Sequence, residues 1–401
     1  MDNLDTGAEE SELSPGVGDR DGLGEARKRK GPRRWLRRFR RGALALTIVA
    51  GICVVDAQSI PGDDPFIVKM GIWGRERGLG FAITWFEQAK YSLHPPTTGG
   101  TASVEQALKD SGYTKAPSAA PPVKYPPLAP IADGTPVTGE GQWRTLIAMR
   151  DEPVISAALL RPDSVHTSYL AAVVRINHTR ARLQLHPGSE DPGDASRFGV
   201  PTKITKDDWA AIIGGFNGGF KIKDARGGFY LNGVTAGSLT KGAASLVTFA
   251  DGRTTVGQWG RDVTMSADVA AVRQNLQLLV DDGKVTPSAD AAVKSNWGAT
   301  VDGAYFVWRT GIGVREDGDL VFVLGDALSA RSLAQLLQAA GCQRAMQLDI
   351  NEDWAAFYYF TRDAAHPPSR PHAHKVIKFK RPLERFFSPV TRDFYTISLV
   401  R

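Results

Sequence analysis

The sequence predicts an α+β fold: a strand-rich, mixed or antiparallel sheet domain with few helices, preceded by a disordered basic N-terminus and a single membrane anchor. Short runs of β-branched and aromatic residues recur between turn residues, which is typical of strands. Helical spacing occurs in only a few stretches, and strands do not alternate regularly with helices. We therefore do not expect a doubly wound parallel sheet, which needs that alternation.

The positive charge is concentrated near the N-terminus. The formal net charge of the 401 residues is +6, yet residues 27–41 alone hold ten Lys or Arg and no acid. Residues 1–26 are polar, acidic and Gly-rich, and such segments do not bury enough apolar surface to fold. We interpret residues 1–41 as a disordered cytoplasmic segment. No aromatic or motif pattern supports a nucleic-acid-binding arm, so no nucleic-acid partner is expected.

An apolar run follows the basic tract. Residues 42–55 carry no charge, and fourteen residues are short for a membrane span but suit the apolar region of a secretory signal. Val55-Asp56-Ala57 is a poor cleavage site, so we favour an uncleaved signal anchor at 42–57 over a cleaved signal. The basic flank would stay in the cytoplasm. These features predict a single-pass protein of the cell membrane whose C-terminal domain is extracellular.

Three further segments are predicted after the anchor. Residues 58–94 form a juxtamembrane helical segment or, as an alternative, an arm that packs on the main domain. Residues 95–130 are a Pro/Gly-rich linker or an extended strap. Residues 131–401 are the globular domain. Cys53 and Cys342 give no disulfide framework, and the sequence indicates no metal and no cofactor.

The globular domain is predicted to consist mainly of short strands. They span residues 143–149, 154–160, 169–176, 181–186, 245–249, 276–280, 305–308, 320–324, 375–379 and 394–400. Residues 201–213 predict the start of a helix, with Thr205 as its cap and Asp207 and Asp208 in the first turn, where negative charge is favourable.

One helix–strand unit organises the C-terminal half. Ser329 can cap a helix whose apolar stripe is Leu333, Leu336, Leu337 and Ala340, and Gly341 is a typical helix end. A strand at 345–348 then leads into Asp349-Ile350-Asn351-Glu352-Asp353. Carboxylates at the end of a buried strand are costly to desolvate without partners, which makes them a candidate site. A solvated turn is the alternative.

A glycine-rich stretch at residues 214–220 is the second candidate. It fits neither the dinucleotide-binding spacing nor the phosphate-binding loop. Glycines beside Asn217 let the backbone approach a ligand closely and leave N–H groups for an oxyanion. The alternative is a tight turn without a ligand.

Three blocks of sequence occur in a fixed order. They are Asn217-Gly218-Gly219-Phe220, then Arg309-Thr310-Gly311-Ile312-Gly313, then the Leu-rich helix and strand that end at Asp349. Together they resemble the phosphodiester glycosidase family over roughly residues 200–360. The family commonly reads Asp-Gly-Gly-Gly-Ser where this chain reads Asp349 to Asp353, so the turn is bulkier here and carries two additional carboxylates.

The resemblance implies an exported, glycosidase-like hydrolase that cleaves a sugar-1-phosphodiester bond in a cell-wall or extracellular polysaccharide. We expect Asp349 to act at the oxocarbenium-like centre and Glu352 to serve as a second carboxylate. Arg309 would grip the phosphate in a bidentate manner. The expected substrate-binding residues are Asn217, Gly218, Gly219, Phe220, Asp326 and Asn351.

The altered turn leaves a second hypothesis open. The chain is then an exported glycan-binding or polysaccharide-assembly protein that retains the fold without catalysis. Under both hypotheses the partners are a sugar phosphate or cell-surface glycan and the membrane. The sequence does not predict the oligomeric state.

Overall fold

The computed structural model describes residues 32–60, 64–79, 95–113, 125–290, 297, 306–362 and 369–400. The chain divides into two compact units, residues 1–55 and 56–401. The helices are α1 (Pro32–Gln58), α2 (Phe66–Glu76), α3 (Val104–Asp110), α4 (Ile222–Ala225), α5 (Pro287–Asp290) and α6 (Ala330–Ala339). Single 3-10 turns span Ala195–Phe198, Lys206–Asp208 and Arg385–Phe387.

Residues 1–31 of the predicted disordered segment lie outside the described residues, and residues 32–41 belong to α1. Among the described helices, none combines the length and the apolar character needed to cross a membrane. The membrane anchor at 42–57 therefore stays a prediction.

Eight strands form the first sheet. They are β1 (Arg144–Met149), β2 (Glu152–Leu160), β3 (Ala171–Ile176), β11 (Leu278–Asp281), β12 (Lys284–Val285), β13 (Val307–Arg315), β14 (Leu320–Leu328) and β15 (Cys342–Gln347). Their order is β1-β2-β3-β14-β13-β15-β11-β12, and neighbouring strands pair antiparallel.

Two five-stranded sheets complete the domain. The second contains β6 (Phe229–Leu231), β7 (Val234–Ala236), β8 (Ala244–Phe249), β9 (Thr254–Gln258) and β10 (Val269–Gln274), in the order β7-β6-β10-β8-β9. The third contains β4 (Ala181–His186), β5 (Ile212–Asn217), β16 (Phe357–Thr361), β17 (His372–Lys375) and β18 (Phe394–Leu399), in the order β17-β16-β5-β18-β4. The predicted α+β class with antiparallel sheets and few helices is confirmed.

The central part of the first sheet is buried on both faces, and strand β14 shows how its sequence achieves this. Val321 and Val323 belong to the apolar cluster under α6, whereas Phe322 and Leu324 belong to the cluster on the opposite face. Alternate side chains of a strand point to opposite faces, so an unbroken apolar run covers both. Phe322 packs against Phe216 of the third sheet, with ring centroids 4.9 Å apart.

Helix α6 begins and packs as its sequence predicts. The Ser329 hydroxyl accepts a hydrogen bond from the Ser332 amide at 2.9 Å, which satisfies one N–H of the first turn. Leu333, Leu336 and Leu337 are fully buried against the first sheet. The helix thereby fixes β15 and the residues that follow it.

Two predicted elements differ from the structure. The helix expected at 201–213 is a single 3-10 turn, capped by Thr205 as expected, because the β-branched residues Ile212 and Ile213 enter β5 instead. The strand expected at 375–379 ends at Lys375. Local propensity favoured both predictions, and pairing with neighbouring strands decides the outcome.

Candidate active site

A small cleft lies where three chain segments meet. Strand β5 ends at Asn217, the segment after β15 begins with Leu348 and Asp349, and Arg392 and Asp393 precede β18. The free space inside the cleft is about 10 Å³, enough for about one water molecule. It is lined by Asn217, Gly218, Gly219, Asp349, Trp354, Arg385, Phe386, Val390, Arg392, Asp393 and Phe394.

Asp349 provides a buried carboxylate to this cleft. Its Oδ1 accepts hydrogen bonds from the amides of Ile350 at 2.8 Å and Asn351 at 3.0 Å. Its Oδ2 lies 3.3 Å from Nη2 of Arg392. Burial raises the pKa of Asp349, while Arg392 and the two amides act in the opposite direction. One carboxylate oxygen is thus fixed by the backbone, and the other faces a cation.

Arg392 is the cation nearest to this carboxylate. Its Nη2 also donates to the carbonyl of Gly219 at 2.8 Å, and its guanidinium carbon lies 5.1 Å from the ring centroid of Trp354. The side chain is only 7% exposed. Its Nε has no hydrogen-bond partner among the residues that the structure describes. A buried donor without a partner is costly, so this nitrogen is well suited to a ligand oxygen.

Gly218 and Gly219 are required because the chain passes very close to a buried ion pair. Nε and Nη2 of Arg273 donate to the two carboxylate oxygens of Asp393 at 2.8 and 3.1 Å, and both side chains are fully buried. A Cβ atom on Gly218 would overlap the Asp393 carboxylate and lie 2.7 Å from its carbonyl oxygen. The Gly219 amide donates to Asp393 at 3.3 Å. The ion pair therefore supports the floor of the cleft.

Asn217 lines the cleft, but its side chain is engaged in holding the site together. Its Nδ2 donates to Thr310 Oγ1 and to the Gly218 carbonyl, both at 2.9 Å, and its Oδ1 accepts from the Ala356 amide at 3.1 Å. Thr310 in turn accepts from the Asp349 amide at 3.0 Å. Asn217 thus connects β5, β13 and the segment after Asp349.

Arg309 lies away from the residues that line the cleft. It is 2% exposed, and it donates to the carbonyl of Leu328 at 2.8 Å and to Gln347 Oε1 at 2.7 Å. A guanidinium committed to these partners does not favour the bidentate phosphate grip that we expected. Arg392 has the geometry for that role.

The remaining sequence-predicted residues also lie outside the lining of this cleft. Glu352 contacts Lys380 at 3.2 Å, and Asn351 Oδ1 accepts from the Asp353 amide at 2.8 Å. Asp326 lies within β14, where burial raises its pKa and the charge of Glu352 adds to the rise.

Phe220 is 7% exposed and belongs to the apolar cluster under α6. The structure therefore brings together four of the nine predicted residues at the cleft: Asn217, Gly218, Gly219 and Asp349.

Sequence reasoning missed Arg392, Asp393, Arg385 and the ion-pair partner Arg273, and it placed Trp354 mainly in the core. A local signal was present for two of them. Arg392 and Asp393 stand next to each other at the start of an apolar strand. Adjacent opposite charges that must be buried need specific partners, and this pattern marks a candidate site.

The model of the phosphodiester glycosidase family matches residues 210–349. The predicted resemblance to this family is confirmed. The match begins just before β5 and ends at Asp349, so it includes the Asn217-Gly218-Gly219-Phe220 block and the buried carboxylate. This match supports a hydrolase of the phosphodiester glycosidase type.

Solved structures are similar to the chain only at a low level. The catalytic domain of zebrafish N-acetylglucosamine-1-phosphodiester α-N-acetylglucosaminidase, auto-inhibited by its pro-peptide, is 13% identical with a TM-score of 0.39, covering 65% of this chain and 88% of that chain. A hypothetical protein from Synechocystis is 10% identical with a TM-score of 0.34, covering 64% and 65%.

A protein of Burkholderia pseudomallei is 13% identical with a TM-score of 0.28, covering 58% of this chain and 74% of that chain. Similarity this low supports no statement about the substrate. No curated protein is similar enough to the chain to count as a match.

Proposed function

We propose that the protein hydrolyses the bond between the anomeric carbon of a sugar and a phosphodiester, with Asp349 as the carboxylate that acts at that carbon. The observation that carries this proposal is the Asp349–Arg392 pair, 3.3 Å apart at the cleft. A glycosidic transition state develops positive charge on the sugar, and the leaving phosphate is negative. A carboxylate beside a guanidinium complements both charges.

The leaving group explains how one carboxylate in this cleft is sufficient. A phosphodiester group leaves as a stable anion, so the C–O bond breaks without full protonation of the oxygen. Nε and Nη2 of Arg392 would donate to the departing phosphate, and Asp349 would stabilise the oxocarbenium-like centre. Water then adds to the anomeric carbon and loses a proton. The products are the free sugar and a phosphomonoester.

Asp393, the other carboxylate of the cleft, acts as a positioning residue in this proposal. Both of its oxygens accept hydrogen bonds from Arg273. Its role is to hold Gly218, Gly219 and Arg392 in place. This division of roles leaves Asp349 as the carboxylate whose removal should stop the reaction.

We further propose that the substrate is a cell-wall or extracellular polymer and that the enzyme is exported. The support is the predicted signal segment at 42–57. Sequencing of the mature N-terminus tests the uncleaved anchor, and a new terminus near Asp56 would contradict it.

The hydrolysis is tested with the full-length protein and a panel of UDP-sugars and alkyl sugar-1-phosphodiesters. We expect sugar release that falls about 10³-fold or more in Asp349→Asn and about 10²- to 10³-fold in Arg392→Gln. Asp281→Asn and Arg180→Gln are matched controls, because they remove the same charges from exposed ion pairs. Release that is unchanged in Asp349→Asn would refute the assignment.

A second candidate function is supported by the turn after Asp349. The Asn351 side chain and Lys380 fix this bulkier turn, and the backbone occupies one oxygen of Asp349. A site built in this way suits a glycan-binding protein without turnover. That function predicts no release from any substrate, with polymer binding that Asp349→Ala weakens.

A further inference from the structure

Three arginines surround one tryptophan beside the proposed active site. The guanidinium carbons of Arg381, Arg385 and Arg392 lie 5.0, 5.0 and 5.1 Å from the ring centroid of Trp354. We call these four residues the arginine cluster. The three arginines are 1%, 6% and 7% exposed, so water does little to screen their mutual repulsion.

The carboxylates that pair with the cluster do not balance its charge. Asp64 pairs with Arg381 and Arg385, and Asp349 pairs with Arg392, which gives three cations and two anions. The neighbouring carboxylate of Asp353 faces Lys380 at 2.7 Å. Burial lowers the pKa of Arg381 to about 10, and the charge of Arg385 contributes to this decrease. The cluster thus has one arginine more than the carboxylates in direct contact with it, whereas Lys380 nearby faces two carboxylates, Glu352 and Asp353.

The cluster also has unused hydrogen-bond donors. Nη2 of Arg381 and Nε of Arg392 are buried without a hydrogen-bond partner among the described residues. Buried polar groups in folded proteins are normally satisfied, and exceptions often mark the place of a ligand. The unused donors therefore indicate an anion.

Asp64 shows where an anion fits. Its Oδ1 lies 2.8 Å from Nη1 of Arg381 and 2.8 Å from Nη1 of Arg385. One oxygen held between two guanidinium groups is the arrangement that arginines form around a phosphate oxygen. Asp64 comes from the segment just before α2, far in sequence from the arginines.

This position adjoins the proposed active site. A second cleft is lined by Asp64, Pro382, Arg385, Pro389 and Val390. Arg385 and Val390 also line the cleft at Asp349. The two clefts therefore share part of their walls, namely Arg385 and Val390.

We propose that Arg381 and Arg385, which pack on the ring of Trp354, form a second anion site, which accepts a phosphate group and which the Asp64 carboxylate occupies until that phosphate displaces it. The site itself does not depend on the proposed hydrolysis. The consequence of this site for substrate choice does depend on the proposed hydrolysis. Ligands with a second phosphate near the scissile one, such as diphosphates or polymers with repeating phosphodiesters, gain a second contact.

The site is tested by calorimetric titration of the full-length protein with inorganic phosphate. Asp64→Asn keeps the shape of the side chain and removes the competing charge. It should bind phosphate between about ten- and a hundredfold more tightly than the parent protein, the range expected for one charge-assisted contact. Arg385→Gln should abolish this gain when added to Asp64→Asn. Asp281→Asn, which removes a carboxylate from an exposed ion pair, should leave binding unchanged.

Two further measurements make the result decisive. Thermal unfolding identifies variants that fail to fold, and Arg385→Lys, which keeps the charge, should recover part of the binding. The gain should persist in Asp64→Asn combined with Arg392→Gln, which removes the cation of the scissile phosphate. Equal phosphate binding by the parent protein and by Asp64→Asn would overturn the proposal. Loss of the gain when Arg392→Gln alone is added to Asp64→Asn would also overturn it. Because no turnover is measured, a protein without hydrolase activity can still pass this test.

Discussion

Replacement of Gly218 by alanine should disrupt the packing of the backbone against Asp393 at the floor of the cleft and destabilise the protein. The added Cβ would overlap the Asp393 carboxylate and lie 2.7 Å from the Asp393 carbonyl oxygen. The carboxylate is held by Arg273 at 2.8 and 3.1 Å, so it has no room to move unless the buried ion pair breaks. The φ angle of Gly218 is not positive, so the effect is one of space and not of backbone strain.

The size of the expected loss in unfolding free energy follows from the cost of breaking the Arg273–Asp393 ion pair. Breaking a buried pair so that one charge loses its partner costs about 3–5 kcal/mol. We expect Gly218→Ala to lower the free energy of unfolding by about this amount, measured by urea denaturation with tryptophan fluorescence. Arg392 is adjacent to Asp393 and bonds to Gly219, so sugar release should fall in parallel.

The matched control is Gly71→Ala in α2. A Cβ at Gly71 has no atom within 4 Å, and alanine favours a helix over glycine by at most about 1 kcal/mol. This variant should be as stable as the parent or slightly more stable. A Gly218→Ala protein with the stability of Gly71→Ala would refute the close approach of Asp393 and the reasoning built on it.

Three further predictions concern charge. Arg392→Gln should shift the acid limb of the pH–activity profile to higher pH, because Arg392 lowers the pKa of Asp349 and the ionised carboxylate is the active form. Arg273→Met should cost about 3–5 kcal/mol of unfolding free energy in urea, because Asp393 is left buried and unpaired. The third concerns His186, whose pKa burial lowers from 6.5 to about 4. The unfolded chain takes up this proton first as pH falls, so stability should decrease by roughly 1 kcal/mol per pH unit between these values. His186→Gln should flatten that slope.

The prediction for Arg273→Met has a matched control, and each of the other two has an outcome that would contradict it. Arg180→Met removes an arginine from an exposed ion pair with Glu152 and should cost at most about 1 kcal/mol. If Arg273→Met costs no more than this, the buried pair does not support the site. If the acid limb of the pH–activity profile does not move in Arg392→Gln, Arg392 does not control the ionisation of Asp349. A pH–stability slope that survives His186→Gln must arise from other groups.

The sequence predicts the helix–strand unit well because its information is local. Ser329 caps α6 through Ser332, three positions away, and the leucine stripe follows helical spacing. The strand after the helix and the carboxylate that ends it are found for the same reason. Neighbours along the chain decide these features, so a single sequence reveals them.

The partners in the site could not be predicted in this way. Gly219 bonds to Asp393 across 174 positions, and Asp349 bonds to Arg392 across 43. Arg309 was the expected phosphate ligand because it stands in one of the family-like blocks and because a guanidinium can grip a phosphate in a bidentate manner. Its actual partner, Gln347, is brought to it only when β13 pairs with β15. Side chains that meet through sheet pairing leave no periodic signal in the sequence.

The position of β18 has a consequence for how the chain folds. β18 lies between β4 and β5, although it follows β5 by nearly 180 residues and β4 by more than 200, and the residues just before it complete the cleft. Contacts this distant in sequence slow folding, because a long loop must close before they form. During synthesis, β4 and β5 expose unpaired edges until β18 is available. Such edges promote association between nascent chains, so this sheet is where we expect aggregation to begin when folding is delayed.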